Sequence, residues 1–360
     1  MKLNLLRIQT KRHNLSWREV LRGMIHGILL FLWISIVIVF IPYMYGTFEG
    51  EDVTNDVATQ IGLNASNPNE LALRIYSWEQ QNFANPYSVE PEKLPFAERV
   101  LAGFGFYQNK QGEIRLFRPF GVFPVPPEWV LHSKLANCRE YAEVFVYLMN
   151  EAGFKARVVR APGEDHSWAE YYVGEYKIIF DPSNPRNPVI VNPKQFGKLK
   201  NFSHVEAYEL MNPGHKEDVS DEYIERGMIV VNAIKNNKPV SGVTVKVMST
   251  YLMERFPERY KKPRPVVVNT TGKDGTAQFK LGPKEYKIVG RKCLFPICWK
   301  GETTGKVVAG STTYATLTLK MDYMTTGMFL TLLGTLVGIL VVRFRKRYGN
   351  QRSKGSGDLG

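Results

Sequence analysis

The chain has 360 residues, 44% of them apolar, and a formal net charge of +13 at pH 7. That apolar fraction excludes global disorder and is too low for a polytopic membrane protein. With 30 Gly, 21 Pro and no internal repeat, collagen-like and low-complexity architectures are excluded as well.

The positive charge sits at the two ends. Residues 1–22 carry Lys2, Arg7, Lys11, Arg12, Arg18 and Arg22 against Glu19. Residues 343–360 carry Arg343, Arg345, Lys346, Arg347, Arg352 and Lys354 against Asp358. Each tail is therefore +5, which leaves +3 of the +13 for everything between them. A nucleic-acid footprint needs basic residues clustered on a folded face, so no nucleic-acid partner is expected.

Residues 23–48 contain no Asp, Glu, Lys or Arg. About 20 apolar residues cross a bilayer core, and a transmembrane helix is predicted over 23–45. No A-x-A site follows the run, which favours a retained span over a cleaved signal peptide. A second uncharged run, Tyr323 to Val342, ends at Arg343 and predicts a second span over 323–342. Both runs have their basic flank on the chain-terminal side. The positive-inside rule then places the 1–22 and 343–360 tails in the cytoplasm and residues 46–322 outside it. Gly334 and Gly338 form a G-x-x-x-G pair that would let this helix approach another closely. Sequons begin at Asn64, Asn201 and Asn269 in the outer segment, and at Asn14 on the inner side.

The outer segment reads as two domains, 49–215 and 224–321. Asn67-Pro68-Asn69-Glu70 is a helix start: an Asn cap, Pro at the first position and an acid three residues after the cap. Residues 85–130 read as loops with short elements. A strong helix opens at Cys138, with Ala142, Phe145, Val146 and Met149 on one face and Gly153 as its stop. Short strands follow at Ala156–Ala161, Trp168–Val173 and Tyr176–Phe180, with Gly174-Glu175 as a tight turn. A helix followed by adjacent strands predicts α+β. Residues 182–220 read as a Pro- and Asn-rich connector with weak helical content around Val205–Met211. Beyond Gly227, alternating Val243, Val245 and Val247, an Asp274-Gly275 hairpin turn, and Ala277, Phe279 and Leu281 predict a small β-sandwich.

Cys293 and Cys298 are expected to form a disulfide outside the cytoplasm, two free thiols being the other reading. That pairing leaves Cys138 as a leftover, reactive thiol. Backbone N–H groups at a helix start favour thiolate over thiol. His166 precedes one strand and Asp181 ends the next, so a hairpin about Gly174-Glu175 brings the two to one end. Cys138, His166 and Asp181 are then the candidate nucleophile, base and orienter. Trp168 is expected to support the site as a core aromatic beside it. His132, His204 and His215 lack metal-ligand spacing, and no metal or cofactor is expected.

These residues also resemble a family. Asn137-Cys138-Arg139-Glu140-Tyr141-Ala142, His166-Ser167-Trp168-Ala169-Glu170 and the strand Tyr176 to Asp181-Pro182-Ser183 are similar to the nucleophile, histidine and aspartate motifs of transglutaminase-like proteins. The likeness is clear over about residues 133–184. It implies a papain-like core with a Cys-His-Asp triad that splits an amide through a thioester and passes the acyl group to water or an amine. Catalytically dead members exist. Where the family usually has Gly two residues before the cysteine, this chain has Ala136. The Cys138 N–H is one candidate oxyanion donor, and Gln108, Gln111 and Trp129 are candidates for the second. More loosely, Lys238–Val245, Thr271–Phe279 and Tyr286 resemble carboxypeptidase regulatory-like and prealbumin-like sandwiches.

The sequence therefore predicts a membrane-anchored thiol enzyme acting on amide bonds of extracytoplasmic proteins or envelope polymers. The rival is a non-catalytic surface receptor or scaffold on the same fold.

Overall fold

The computed structural model describes residues 17–85, 105–108, 114–117, 125–257 and 260–354. Most of the 1–22 tail, the Asn14 sequon and the last six residues lie outside them. The chain divides into two compact units, Met1–Ala65 with Leu73–Glu140, and Ser66–Ala72 with Tyr141–Gly360.

The first unit contains helices α1 (Trp17–Phe48) and α2 (Gly50–Ile61), most of α3 (Pro68–Asn82), a hairpin of β1 (Gly105–Gln108) and β2 (Ile114–Phe117), and α4 (Pro127–Ser133). The helix predicted over 23–45 lies within α1, which bends by 41° between Arg22–Val37 and Phe40–Phe48. Pro42 lies inside it. Its ring has no N–H to give the carbonyl four residues back, at Ile38, and pushes that carbonyl away. Tyr45 joins α1 to α4 through a 2.9 Å hydrogen bond with His132 Nδ1 and an edge-on contact with Trp129. Trp78 Nε1 donates to Gln60 Oε1 at 2.9 Å and ties α3 to α2. Glu79 is fully buried with neither carboxylate oxygen paired, and burial pushes its carboxyl well above the ordinary range.

The second unit begins with α5 (Cys138–Glu151), whose first turn belongs to the other unit, followed by β3 (Ala156–Ala161), β4 (His166–Val173) and β5 (Tyr176–Phe180). β4 starts two residues earlier than the sequence pattern suggested, at His166 itself. α6 (Pro193–Lys200), β6 (Glu206–Tyr208) and β7 (Glu217–Asp218) complete an antiparallel sheet in the order β5-β4-β3-β6-β7. α5 packs on this sheet: Phe145 stacks on Phe180 at 4.8 Å between ring centroids, and Tyr208 donates to buried Glu143 at 3.0 Å. The arrangement is α+β.

The expected helix around Val205–Met211 is instead strand β6, because Val205 and Ala207 alternate inward beside β3. The helix of that connector lies earlier, at α6. Asn192 caps it by accepting from Gln195 N at 2.9 Å, with Pro193 at its first position.

The remaining strands form a two-sheet sandwich: β8 (Gly227–Lys235), β9 (Lys238–Pro239), β10 (Thr244–Ser249), β11 (Arg264–Thr270), β12 (Thr276–Leu281), β13 (Glu285–Leu294), β14 (Ile297–Lys306), β15 (Thr312–Thr318) and β16 (Lys320–Met321). One sheet runs β11-β10-β13-β14-β16; the other runs β12-β8-β15, with β9 on β8. Ile229, Val231, Val245, Val247, Phe279 and Leu317 are among the residues that fill the space between them. Asp274-Gly275 turns the chain but does not close a hairpin. It joins β11 to β12, which lie in opposite sheets, and β12 pairs with β8. Asp274 accepts from Thr276 N and Oγ1 at 3.0 and 2.7 Å, and Gly275 holds φ 78. Those local bonds fix the turn without requiring its flanking strands to pair.

Among the described residues, one helix is long and apolar enough to cross a membrane: Tyr323–Phe344, the first part of α7 (Tyr323–Lys354).

Candidate active site

Cys138 opens α5 as its first residue. Asn137 Oδ1 accepts from Arg139 N at 2.9 Å, and Glu140 Oε2 reaches back to Asn137 N at 3.0 Å. The two bonds form a reciprocal capping box that satisfies donors left open at the helix start. The chain enters this cap through a backbone exchange in which Ala84 N donates to Lys134 O at 2.9 Å and Ala136 N donates to Ala84 O at 3.1 Å. Ala136 is fully buried and does not take a positive φ. The position therefore does not need the glycine usual in the family, and Ala136 costs no backbone strain. Cys138 is half-buried and outside any disulfide. Cys293 and Cys298 are disulfide-bonded.

His166 starts β4 and Asp181 follows β5, and the Val173–Tyr176 pair closes the hairpin between them about Gly174 at φ 61. His166 Nε2 and Asp181 Oδ2 lie 2.9 Å apart. Asp181 is buried, and its other oxygen accepts from Ser183 Oγ and Ser183 N at 2.7 and 3.1 Å. Burial raises the Asp181 carboxyl, but the His166 charge and hydrogen bond, Ser183 and Lys200 outweigh it and hold the group below its ordinary value. An ionised carboxylate on one imidazole nitrogen fixes the tautomer and turns the other nitrogen into a base.

Trp168 is fully buried behind this pair. It stacks on His166 at 5.8 Å and on Phe202 at 5.1 Å, and Phe196 meets its edge. Its Nε1 donates to Tyr223 OH at 3.1 Å, and Tyr223 OH donates to Glu170 Oε1 at 2.6 Å. Phe196 and Tyr223 stay in place because α6 meets the Tyr223 backbone at Gly197. A Cβ there would lie 2.1 Å from Tyr223 O. Gly197→Ala gains about 1 kcal/mol of helix propensity but drives a methyl into main chain, an overpacking cost of about 3 kcal/mol. A net loss of about 2 kcal/mol is expected from these two terms, read as a lower denaturant midpoint.

The sequence motifs did not reveal how the turn before His166 is held. Pro162–Glu164 forms a short 3-10 turn, and Asp165 takes φ 53, a left-handed conformation Asp tolerates better than most residues. Glu164 Oε1 accepts from Ser203 Oγ at 2.6 Å, Lys284 Nζ at 2.9 Å and Ser249 Oγ at 3.1 Å. Asp165 accepts from Tyr260 OH at 2.7 Å and Arg264 Nη2 at 2.8 Å. Ser249, Tyr260, Arg264 and Lys284 all belong to the sandwich, so that domain grips the residues leading directly into the histidine. Burial pulls the Lys284 ammonium below its ordinary value despite the Glu164 charge.

Of the oxyanion candidates, Gln111 lies outside the described residues, and only the backbone of Gln108 is described. Trp129 is buried with its indole N–H unpaired. His132 pairs with Tyr45, and His204 with Ser220 Oγ at 3.1 Å. No group of three or more His, Cys, Asp or Glu suited to a metal occurs among the described residues.

No curated protein matches the chain. Two solved structures are similar to parts of it. A DUF3823 family protein from Parabacteroides merdae ATCC 43184 is 17% identical, with a TM-score of 0.21; the match covers 27% of this chain and 47% of that one, so the chain spans about half its length. GBS52, the minor pilin of Streptococcus agalactiae, is 11% identical over 44% of this chain and 69% of that one, with a TM-score of 0.23. Residues 107–182, which contain Cys138, His166 and Asp181, match the transglutaminase-like superfamily, the family that the sequence motifs resemble.

Proposed function

We propose that the chain is a membrane-anchored thiol enzyme that attacks amide bonds of extracytoplasmic proteins or envelope polymers. The observation that carries this reading is the 2.9 Å His166–Asp181 pair, held on a buried carboxylate within the segment that matches the family. Cys138, at the capped start of α5, is the nucleophile. His166 Nδ1 takes the thiol proton, the thiolate attacks the carbonyl carbon, and the imidazolium returns the proton to the departing amine as the thioester forms. Water or an amine then attacks the thioester, with the same imidazole as base. Asp181 holds the tautomer. The Cys138 N–H and the unpaired Trp129 N–H are the proposed oxyanion donors. The helices in 23–45 and 323–342 anchor the chain with both termini in the cytoplasm and residues 46–322 outside. The open Gly334–Gly338 face offers a helix–helix contact.

The test is alkylation of Cys138 by iodoacetamide at pH 6.5 in the full chain, followed by mass spectrometry. His166→Ala is expected to slow labelling at least about tenfold in the folded protein and to leave the rate of the denatured protein unchanged. Equal rates in the folded proteins would put the non-catalytic scaffold in its place.

A further inference from the structure

One end of the sandwich, next to the helix Tyr323–Phe344, carries three exposed apolar residues in one short turn. β13 and β14 form one long hairpin that ends at Leu294-Phe295-Pro296-Ile297, clamped at its base by the Cys293–Cys298 disulfide. Leu294 is 60% exposed, Phe295 68% and Ile297 36%. A rigid tip with three large apolar side chains turned outward is a feature of surfaces that meet apolar partners.

Its position indicates which partner. The tip is fastened to the first turns of the apolar helix Tyr323–Phe344. Asp322 N donates to Cys298 O at 2.8 Å, and Cys298 N donates to Thr326 Oγ1 at 3.0 Å. Phe295 lies against Phe329, with ring centroids 5.5 Å apart. Asp322 precedes the uncharged stretch and Arg343 ends it, so the two charges bracket the helix along the bilayer normal. Its 22 residues give about 33 Å of rise, close to the ~30 Å hydrocarbon thickness. Phe329 then lies about 9 Å below the helix start, at a depth reached by acyl chains, and Phe295 lies beside it.

Above the tip the surface changes from apolar to basic. A cleft of about 540 Å³ is lined by Lys246, Arg291, Lys300 and Asp322, three cations to one carboxylate. Arg291 donates to Thr325 Oγ1 at 2.7 Å and lies 3.6 Å from Asp322, and Lys300 pairs with Glu302 at 2.6 Å. Lys320, in register with Lys300 across the β14–β16 pair, extends the positive rim. Apolar residues at acyl depth beneath basic residues at headgroup depth match the layering of an anionic phospholipid.

We propose that the hairpin tip Leu294–Ile297 enters the bilayer beside the Tyr323–Phe344 helix, and that Lys246, Arg291 and Lys300 hold the phosphate of an anionic lipid above it. This rests on the reading that Tyr323–Phe344 spans the bilayer. The sandwich then has two attachments to the membrane, the helix and the tip, which restrict its rotation about the helix axis.

The experiment places the photocrosslinker p-benzoylphenylalanine at Phe295, at Leu336 in the middle of the helix, or at 73%-exposed Tyr314 on β15. The full chain is reconstituted in nanodiscs of phosphatidylcholine and phosphatidylglycerol. Lipid adducts at position 295 are expected within about twofold of those at 336 and at least about tenfold above those at 314. Adducts at 336 with only background at 295 overturn the proposal and leave the span intact. Background at both positions removes the span and the proposal together. With Lys246→Gln/Lys300→Gln, the phosphatidylglycerol share of the 295 adducts is expected to fall at least about threefold while that at 336 stays unchanged. An unchanged share at 295 overturns the headgroup contact.

Discussion

Cys138→Ser is expected to lower amide turnover by about 10⁶-fold, and Asp181→Asn by about 10⁴-fold. The two differ because they remove different steps. A hydroxyl does not ionise against a neutral imidazole, so the serine variant presents His166 with a proton it cannot take before attack. Asparagine keeps a carbonyl oxygen that can accept from His166 Nε2, whose partner is now Asp181 Oδ2 at 2.9 Å. It loses the charge that stabilises the imidazolium, and its amide can also turn an N–H to the ring and hold the wrong tautomer. Ammonia release and new amine ends from a peptide mixture read both losses, and kcat should fall with little change in KM. Equal losses for the two variants would contradict the assigned division of roles. The same pair sets an acid limit on stability. Because the Asp181 carboxyl is held below its ordinary value, the stabilisation it brings is present above the unfolded value near pH 4 and is lost as pH falls through the lower folded value. Asp181→Asn should therefore flatten the acid limb of a stability–pH curve while costing stability at neutral pH.

The site strands were legible because their pattern is local. Ala156–Ala161 and Tyr176–Phe180 alternate or run apolar between turn residues, and the two-residue turn at Gly174-Glu175 needs only its own sequence. The capped start of α5 was legible for the same reason. Strand β14 was not, and its glycines explain why. Gly301 and Gly305 occupy inward positions where a Cβ would lie 2.5 Å from Thr318 O and 2.4 Å from Ile229 Cδ1. The strand is buried by the absence of side chains, so it carries no apolar alternation to detect. Helix α2 escaped for a related reason: Thr54 supplies a polar residue to its buried face, and Asp and Glu crowd its first turn. The grip of the sandwich on Glu164 and Asp165 depends on residues 85 to 120 positions away, such as Ser249 and Lys284. No local pattern records contacts at that separation. The bend in α1 was readable in principle, since Pro42 stands inside the apolar run, in its last third. A count of uncharged residues does not register it.

Glu170→Ala is expected to be among the most destabilising single substitutions in the sheet, at about 3–5 kcal/mol. Glu170 sits two residues after Trp168 on β4 and has no exposed surface. Its Oε2 accepts from Arg157 Nε at 2.7 Å, its Oε1 accepts from Tyr223 OH at 2.6 Å, and Lys177 Nζ lies 3.5 Å away. The carboxylate thus ends a directed chain, Trp168 to Tyr223 to Glu170, and neutralises a guanidinium on the neighbouring strand. Burial and the Glu170 charge push the Tyr223 hydroxyl up, so it remains a donor throughout the accessible pH range. Removing Glu170 leaves that hydroxyl without its acceptor and Arg157, only 15% exposed, without this counter-charge. The cost of two stranded polar groups exceeds the value of the pair itself. Glu170→Leu combined with Arg157→Met should therefore recover part of the loss, because both charges leave together. The measurement is the denaturant midpoint of the full chain in detergent for Glu170→Ala, and for Glu170→Leu, Arg157→Met and their double closed as a cycle. A loss below about 1 kcal/mol for Glu170→Ala would mean that water reaches Arg157 and that the interior is wetter than its burial implies. A large loss with partial recovery assigns Glu170 a structural part: it fixes Trp168, and through the stacked ring it fixes the imidazole of His166.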